Sequence, residues 1–189
     1  MPIGQGRVAR QGDDSSVLAR RQGKIAHPLK QMRIPDTMLV AGQVGIQMDE
    51  HDPDATFVDA TGGYGVGVVD ALRMTNRDCI EVYFSGKPND PRYFNKRAEM
   101  YFEMAKWVKE GGALPDDEEL KDELCAITYT FQGDKFRIAD KDDIKDILGR
   151  SPDKADALAL TFAHPVGKRT MRQQLGARTA KSGEYDPLS

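Results

Sequence analysis

The sequence predicts a mixed α/β fold in which a sheet carries helices on both faces. Three observations lead there. Short apolar runs of strand length end in turn residues, as in "PDATFVDA" (53–60) and "DCIEVYFS" (78–85). A longer segment, "YFNKRAEMYFEMAKWVKE" (93–110), repeats Phe94, Ala98, Tyr101, Phe102, Ala105 and Val108 at helical spacing. The order of elements is strands first, then helix and strand in alternation, then helices, a hairpin and a last helix, as in a layered α/β domain.

Each element follows from local chemistry. "SSVLARRQ" (15–22) comes after the turn residues Gly12, Asp13 and Asp14 and reads as a strand leaving a tight hairpin. "GKIAHPLKQMRI" (23–34) reads as another, with His27-Pro28 at a sheet edge because proline offers no N–H to a ladder. Asp36 caps a predicted helix, "TMLVAGQVGIQMDE" (37–50), with Leu39, Val40, Val44, Ile46 and Met48 as its apolar set. The run 53–60 reads as a buried central strand ending in Asp59, and "TGGYGVGVVDALRM" (61–74) as a glycine-rich turn followed by a helix. Gly111-Gly112 ends the helix over 93–110, and "DDEELKDELCAI" (116–127) sets acids at the positive start of the next. "TYTFQGDKFRIA" (128–139) is a hairpin with Gly133-Asp134 near its turn, and "KDDIKDIL" (141–148) a short helix. Ser151-Pro152 opens the last helix. Residues 1–165 are expected to form one domain and 166–189 a basic, flexible tail.

Composition narrows the function classes. No apolar run approaches the roughly 18–20 residues of a membrane span, and the polar, basic start has no signal-peptide core, so a cytoplasmic protein is expected. Cys79 and Cys125 lack metal-ligand spacing and read as reduced core thiols. The net charge of −3 divides unevenly: residues 1–33 carry +5 and 164–189 carry +3, leaving −11 on the body between them. Basic ends can meet a phosphate backbone while carboxylates gather metal elsewhere; solvated charge without a partner is the plainer alternative. "TGGYGVG" (61–67) lacks the Lys-Ser/Thr of a phosphate-binding loop and the register of a dinucleotide fingerprint. Its glycines are read as letting a helix approach the sheet closely, and no nucleotide is expected. Ser151, His27, His51 and His164 suggest no hydrolytic triad, with His51 and His164 read as surface residues. Trp107 and the aromatics of 93–110 are read as core.

Two carboxylates stand out. Asp59 ends an apolar strand beside a glycine-rich turn, at the strand end where open α/β sheets place their chemistry. Asp156 interrupts the apolar run Ala155, Ala157, Leu158, Ala159, Leu160, where an ionised carboxylate is costly unless something positive holds it. Two readings stand. The carboxylates are hard oxygen ligands of a shared Mg²⁺ or Mn²⁺ site; or Asp59 caps the following helix and Asp156 pairs with Lys154 or a nearby Arg. Lys141 is read as an exposed helix start able to reach the same crevice and meet phosphate.

Four ordered segments together carry a family resemblance: "VARQGDDSSVLARRQG" (8–23), "FVDATGGYGVGVVDALR" (57–73), "NKRAEMYFEMAKWVKEGGALP" (95–115) and "SPDKADALALTFA" (151–163). The chain resembles the C-terminal nuclease domain of tailed-phage terminase large subunits over about residues 5–165. The resemblance implies an RNase H-like fold and a Mg²⁺- or Mn²⁺-dependent endonuclease that cuts concatemeric double-stranded DNA during genome packaging in the bacterial host cell. The portal and the small terminase subunit are implied as further partners. Asp59 matches the family's second carboxylate and Asp156 its third, so Asp156 is implied as a metal ligand.

Two departures follow. The ATPase motor domain that precedes this domain in the family has no counterpart here, so a fragment, an excised domain or a prophage remnant unable to translocate DNA alone is expected. Arg7 stands where the first catalytic Asp belongs, on a first strand expected to be shortened. A guanidinium cannot bind a cation and would pair with Asp59 or Asp156 instead. Asp14, in the turn beyond, is the substitute metal ligand the segment offers. Weak or absent cleavage is therefore expected, with an inactive domain that binds DNA or packaging partners as the alternative. DNA contacts are expected at phosphates, from Lys141, Arg20, Arg21, Lys168 and Arg169, without sequence preference.

Overall fold

The computed structural model describes residues 15–167. Arg7, Asp13, Asp14, Lys168, Arg169 and nearly all of the expected tail lie outside them. At the start, what the sequence offered as two strands is four: the first breaks at residues 19–20 into β1 (Ser16–Leu18) and β2 (Arg21–Gln22), and the second at Pro28 into β3 (Ile25–Ala26) and β4 (Lys30–Met32). Gly23, at φ 57°, takes the left-handed turn conformation that joins β2 to β3. Pro28 has no N–H for a ladder, so pairing stops after Ala26 and resumes at Lys30. β1 then pairs antiparallel with β4, and β2 with β3.

Asp36 caps α1 (Thr37–His51) by accepting from the amides of Met38 and Leu39 at 2.8 and 3.4 Å. Val40, Ala41, Val44 and Gly45 form its buried face. Leu39 and Ile46, read as core from the sequence, are 60% and 48% exposed, because the helix turns a narrower stripe inward than the apolar set suggests. β5 (Phe57–Asp59) runs parallel to β6 (Ile80–Val82), with α2 (Gly63–Met74) between them in sequence and packed on α1. Each residue of β5 is half-buried, but its two faces serve two cores: Phe57 packs into the larger cluster and Val58 into the smaller.

α3 (Lys96–Lys109) starts at Asn95, whose side chain accepts from the Ala98 amide at 2.9 Å. Its buried residues include Ala98, Met100, Tyr101, Met104 and Trp107, while Ala105 and Val108 face solvent. Trp107 is core as read, but the inward stripe is otherwise rotated from the spacing read in sequence, since Met100 and Met104 fill the core in place of Ala105 and Val108. α4 (Glu118–Ala126) is capped by Asp117. β7 (Tyr129–Gln132) and β8 (Lys135–Ile138) form the expected hairpin, turning at Gly133 with φ 66°. α5 (Lys141–Leu148) ends at Gly149, φ 73°, and α6 (Asp153–Leu160) closes the order.

The larger core joins α3, α6, β6 and the hairpin; the smaller joins α1, α2 and β4. Cys79 is half-buried beside the smaller core, but Cys125 is exposed, so the expectation of a second core thiol is corrected: α4 turns Leu120 and Glu123 inward instead. Among the described residues, no helix is long and apolar enough to cross a membrane.

The glycine-rich turn has a steric reason at one position. A Cβ on Gly65 would stand 1.8 Å from the backbone oxygen of Asp59, so α2 can start against the end of β5 only with glycine there. Gly42, in the middle of α1, has open space around its Cβ position. Chemical denaturation should therefore separate the two: Gly65→Ala is expected to cost more than about 3 kcal/mol or to prevent folding, and Gly42→Ala to add about 0.5–1 kcal/mol.

Candidate functional site

The first turn of α6 is tethered before Asp156 is reached. Glu123, buried inside α4, accepts from the Ala155 amide at 2.7 Å and bonds the Arg150 guanidinium. Burial, opposed by these donors, pushes its carboxyl up from the ordinary range. Lys154 pairs with Asp117 at 2.8 Å and Glu119 at 2.7 Å. The expected Lys154–Asp156 pair is therefore corrected: helical positions two apart point to different faces, and Lys154 faces α4. Asp156 is presented to the other side, toward α3.

There the carboxylate is nearly enclosed, its side chain 8% exposed. Oδ1 accepts from the Tyr101 hydroxyl at 2.6 Å and from Nε and Nη2 of Arg97 at 3.3 Å each. Arg97 is itself fixed by donating to the Ala139 carbonyl at 2.9 Å. The Lys141 ammonium pairs with Oδ2 at 3.0 Å, and no other partner reaches that buried oxygen among the described residues. Burial drives the Tyr101 hydroxyl well above the usual tyrosine value, and the Asp156 charge adds to the shift, so it remains a donor. Burial pulls the Lys141 ammonium down, but the Asp156 carboxylate outweighs it and holds the group above an ordinary lysine.

Arg97 and Lys141 also line an open cleft of about 330 Å³, together with Asp59, Asn95, Arg137 and Asp140. Asp59 enters from the end of β5, and its Oδ1 accepts from the Thr61 amide at 2.9 Å. That bond closes a turn; the helix itself is capped by Gly62, so Asp59 is not the α2 cap. Asp59 thus faces a cleft whose other wall carries the cations that hold Asp156. Among the described residues, no three His, Cys, Asp or Glu side chains converge to hold a metal ion.

The other sequence-read residues lie elsewhere. Arg21 donates to the hydroxyl and carbonyl of Thr161 at 3.1 and 2.9 Å and stands 4.1 Å over the Phe162 ring, binding the end of α6. Arg20 is half-buried, and its charge helps burial hold the His27 imidazole below its ordinary value. His51 is exposed, whereas His164 is half-buried with its ring 5.9 Å from Phe57. Sequence reasoning did not name Arg97 or Tyr101 as partners of Asp156. Their spacing, four residues apart on one helix, shows that they share a face; what that face meets lies more than 50 residues away.

Comparison with solved structures matches this fold to the nuclease domain of the large terminase subunit of bacteriophage Sf6. A point variant of that domain with calcium aligns with a TM-score of 0.65 and 22% identity, over 82% of this chain and 84% of that one. The nuclease domain itself aligns with a TM-score of 0.63 and 23% identity, over the same shares. A point variant with manganese aligns at 0.61 and 20% identity, covering 80% of this chain and 87% of that one. The chain therefore has the RNase H-like mixed α/β fold of these domains. No protein-family model and no curated protein sequence matches it.

Tyr101→Phe leaves a buried carboxylate oxygen short of its shortest bond and is expected to cost about 1–3 kcal/mol in urea denaturation at neutral pH. The Lys141 pair acts at the other end of the pH scale. A lysine raised in the fold stabilises fully below its unfolded value and loses that contribution as pH climbs through the folded one. A pH series of melting temperatures should accordingly fall above about pH 10.5, less steeply for Lys141→Met than for the parent chain.

Proposed function

We propose that this chain is a terminase-type nuclease domain, a divalent-metal endonuclease that cuts concatemeric double-stranded viral DNA during genome packaging in the bacterial host cell. The observation that carries the reading is the cleft itself. It sets Asp59 across from the cations bound to Asp156, on a fold shared with a phage terminase nuclease domain. Solved structures of that domain with manganese and with calcium favour a hard, oxygen-ligated ion of the Mg²⁺ or Mn²⁺ kind.

The residues present suit such an ion in donor type. Asp156 Oδ2 is a buried oxygen whose one partner among the described residues is the Lys141 ammonium, and Asp59 adds a second carboxylate. Asp14 is the third candidate, from outside the described residues. When bound, the ion would supply an activated water and a counter-charge for the leaving oxygen. The chain's own groups prepare the place. Arg97 and Tyr101 hold Asp156 Oδ1 on one side, leaving Oδ2 turned to Lys141. Lys141 balances Asp156, and its half-exposed ammonium is free to swing to a substrate phosphate once a divalent cation takes over Oδ2. The ion and the lysine therefore compete for one oxygen. The portal and the small terminase subunit belong to this reading as packaging partners.

Plasmid cleavage with Mn²⁺, beside Mn²⁺-dependent thermal shifts, checks it. The chain is expected to cut slowly, Asp59→Asn and Asp156→Asn to abolish cutting, and Arg7→Asp to raise it. Lys141→Ala is expected to reach the same thermal shift at about tenfold less Mn²⁺. An unchanged shift in Asp156→Asn would remove the shared metal site. No cutting by the parent or by Arg7→Asp would leave a nuclease-like domain that only binds DNA or packaging partners.

A further inference from the structure

The hairpin does more than close the larger core. Phe136 exchanges backbone bonds with a third segment: its amide donates to the Arg92 carbonyl at 2.9 Å, and the Phe94 amide donates to its carbonyl at 2.8 Å. Tyr93 pairs with Phe136 in parallel, so β7, β8 and residues 92–94 form one small three-stranded surface. Side chains alternate across it. Tyr93, Phe136 and Ile138 point inward, packed with Phe102. Arg92, Phe94, Lys135 and Arg137 are left to the outer face.

That face is prepared for anions. The Arg137 guanidinium stands 5.4 Å over the Phe94 ring, and Asp140 holds its Nη2 at 2.6 and 2.8 Å. Arg92 is oriented by Asp90 yet its side chain is 70% exposed. Lys135 is exposed and has no ion-pair partner among the described residues. Phe94 and Arg137 also line the cleft that contains Asp59 and Lys141, so the face runs into the candidate site without a break. The body around it, residues 34–163, carries −11. Counting the Asp90 and Asp140 carboxylates that pair with Arg92 and Arg137, the face keeps one cation in excess on an otherwise acidic body, so a polyanion is drawn there rather than elsewhere.

We infer that this outer face, Arg92, Phe94, Lys135 and Arg137, is the track on which the phosphate backbone of double-stranded DNA lies as it enters the cleft. The inference rests on the nuclease reading for its direction, and it moves the expected DNA contacts away from Arg20 and Arg21, which the fold half-buries. Double-stranded DNA is favoured over an acidic protein because the strip leads to carboxylates that a protein partner would leave idle. Arg137 acts as the positioning residue at the junction, where its remaining N–H groups can meet a phosphate beside Asp59.

Fluorescence anisotropy with a short labelled duplex, in EDTA so that no cutting intervenes, tests the track. The Arg92→Gln/Lys135→Gln/Arg137→Gln chain is expected to bind at least about tenfold more weakly at low salt. The slope of log affinity against log salt should be shallower by about 2–3, one lost phosphate contact per cation. Lys106→Gln/Lys109→Gln, on the exposed end of α3, should bind as the parent does, and melting temperatures should show all variants folded. Equal affinity and slope in the triple variant would overturn the track. So would a parent chain that binds no duplex. Asp59→Asn separates the two proposals, because it should stop cleavage and leave binding intact.

Discussion

A carboxylate with almost no access to water has to be matched by positive charge, and the Asp156 cluster is where this fold meets that demand. Arg97 comes from α3, Lys141 from the start of α5, and the Tyr101 hydroxyl from one turn further along α3. Two elements distant in sequence from each other and from α6 are thereby held to one side chain. The cluster depends in turn on where α6 begins. Glu123 and Asp117 on the α4 side fix Ala155 and Lys154, which sets the rotation that aims the next residue at α3. Removing one member of such a set leaves an uncompensated buried charge, a larger loss than the net value of the pair.

The opposite wall is built by backbone rather than by charge. α2 abuts β5 so closely that only glycine fits at position 65, and this contact fixes the strand end from which Asp59 reaches the cleft. β5 itself divides the two cores, Phe57 to one and Val58 to the other. Asp59 is therefore carried by the seam of the molecule, and Asp156 by a helix of the larger core. The cleft thus holds Asp59 on one wall, while Asp156 lies behind the other, joined to it through Arg97 and Lys141.

Much of this was legible in the sequence. The helix start at Asp36, the hairpin turn at Gly133 and the strand-to-helix step at 57–74 are written in local chemistry, and the structure places them there. Asp156 announced itself by being out of place among apolar neighbours. What could not be read was which cation answers it. Lys154 was the nearest in sequence, and helix geometry points it elsewhere; Arg97 and Lys141 reach it only through tertiary packing. Arg21 misled in the opposite way. Its position in a basic segment suggested an outward charge, yet its guanidinium binds Thr161 and covers Phe162, a role set by the end of α6. The rotation of α3 was lost for a related reason, since Met100 and Met104 fill the core beside Trp107 and the aromatics already read as core.

The balance of charge links these parts. Asp156 is already neutralised by two cations, so under the proposed reading a divalent ion would have to win Oδ2 from Lys141 rather than enter an open pair of acids. A polyanion in the cleft changes that contest. A phosphate near Lys141 offers its ammonium another partner, weakening its hold on Asp156, while Arg97 remains anchored to the Ala139 carbonyl and keeps the carboxylate oriented. Substrate and metal would then favour one another's binding through a single lysine, with no change of fold needed.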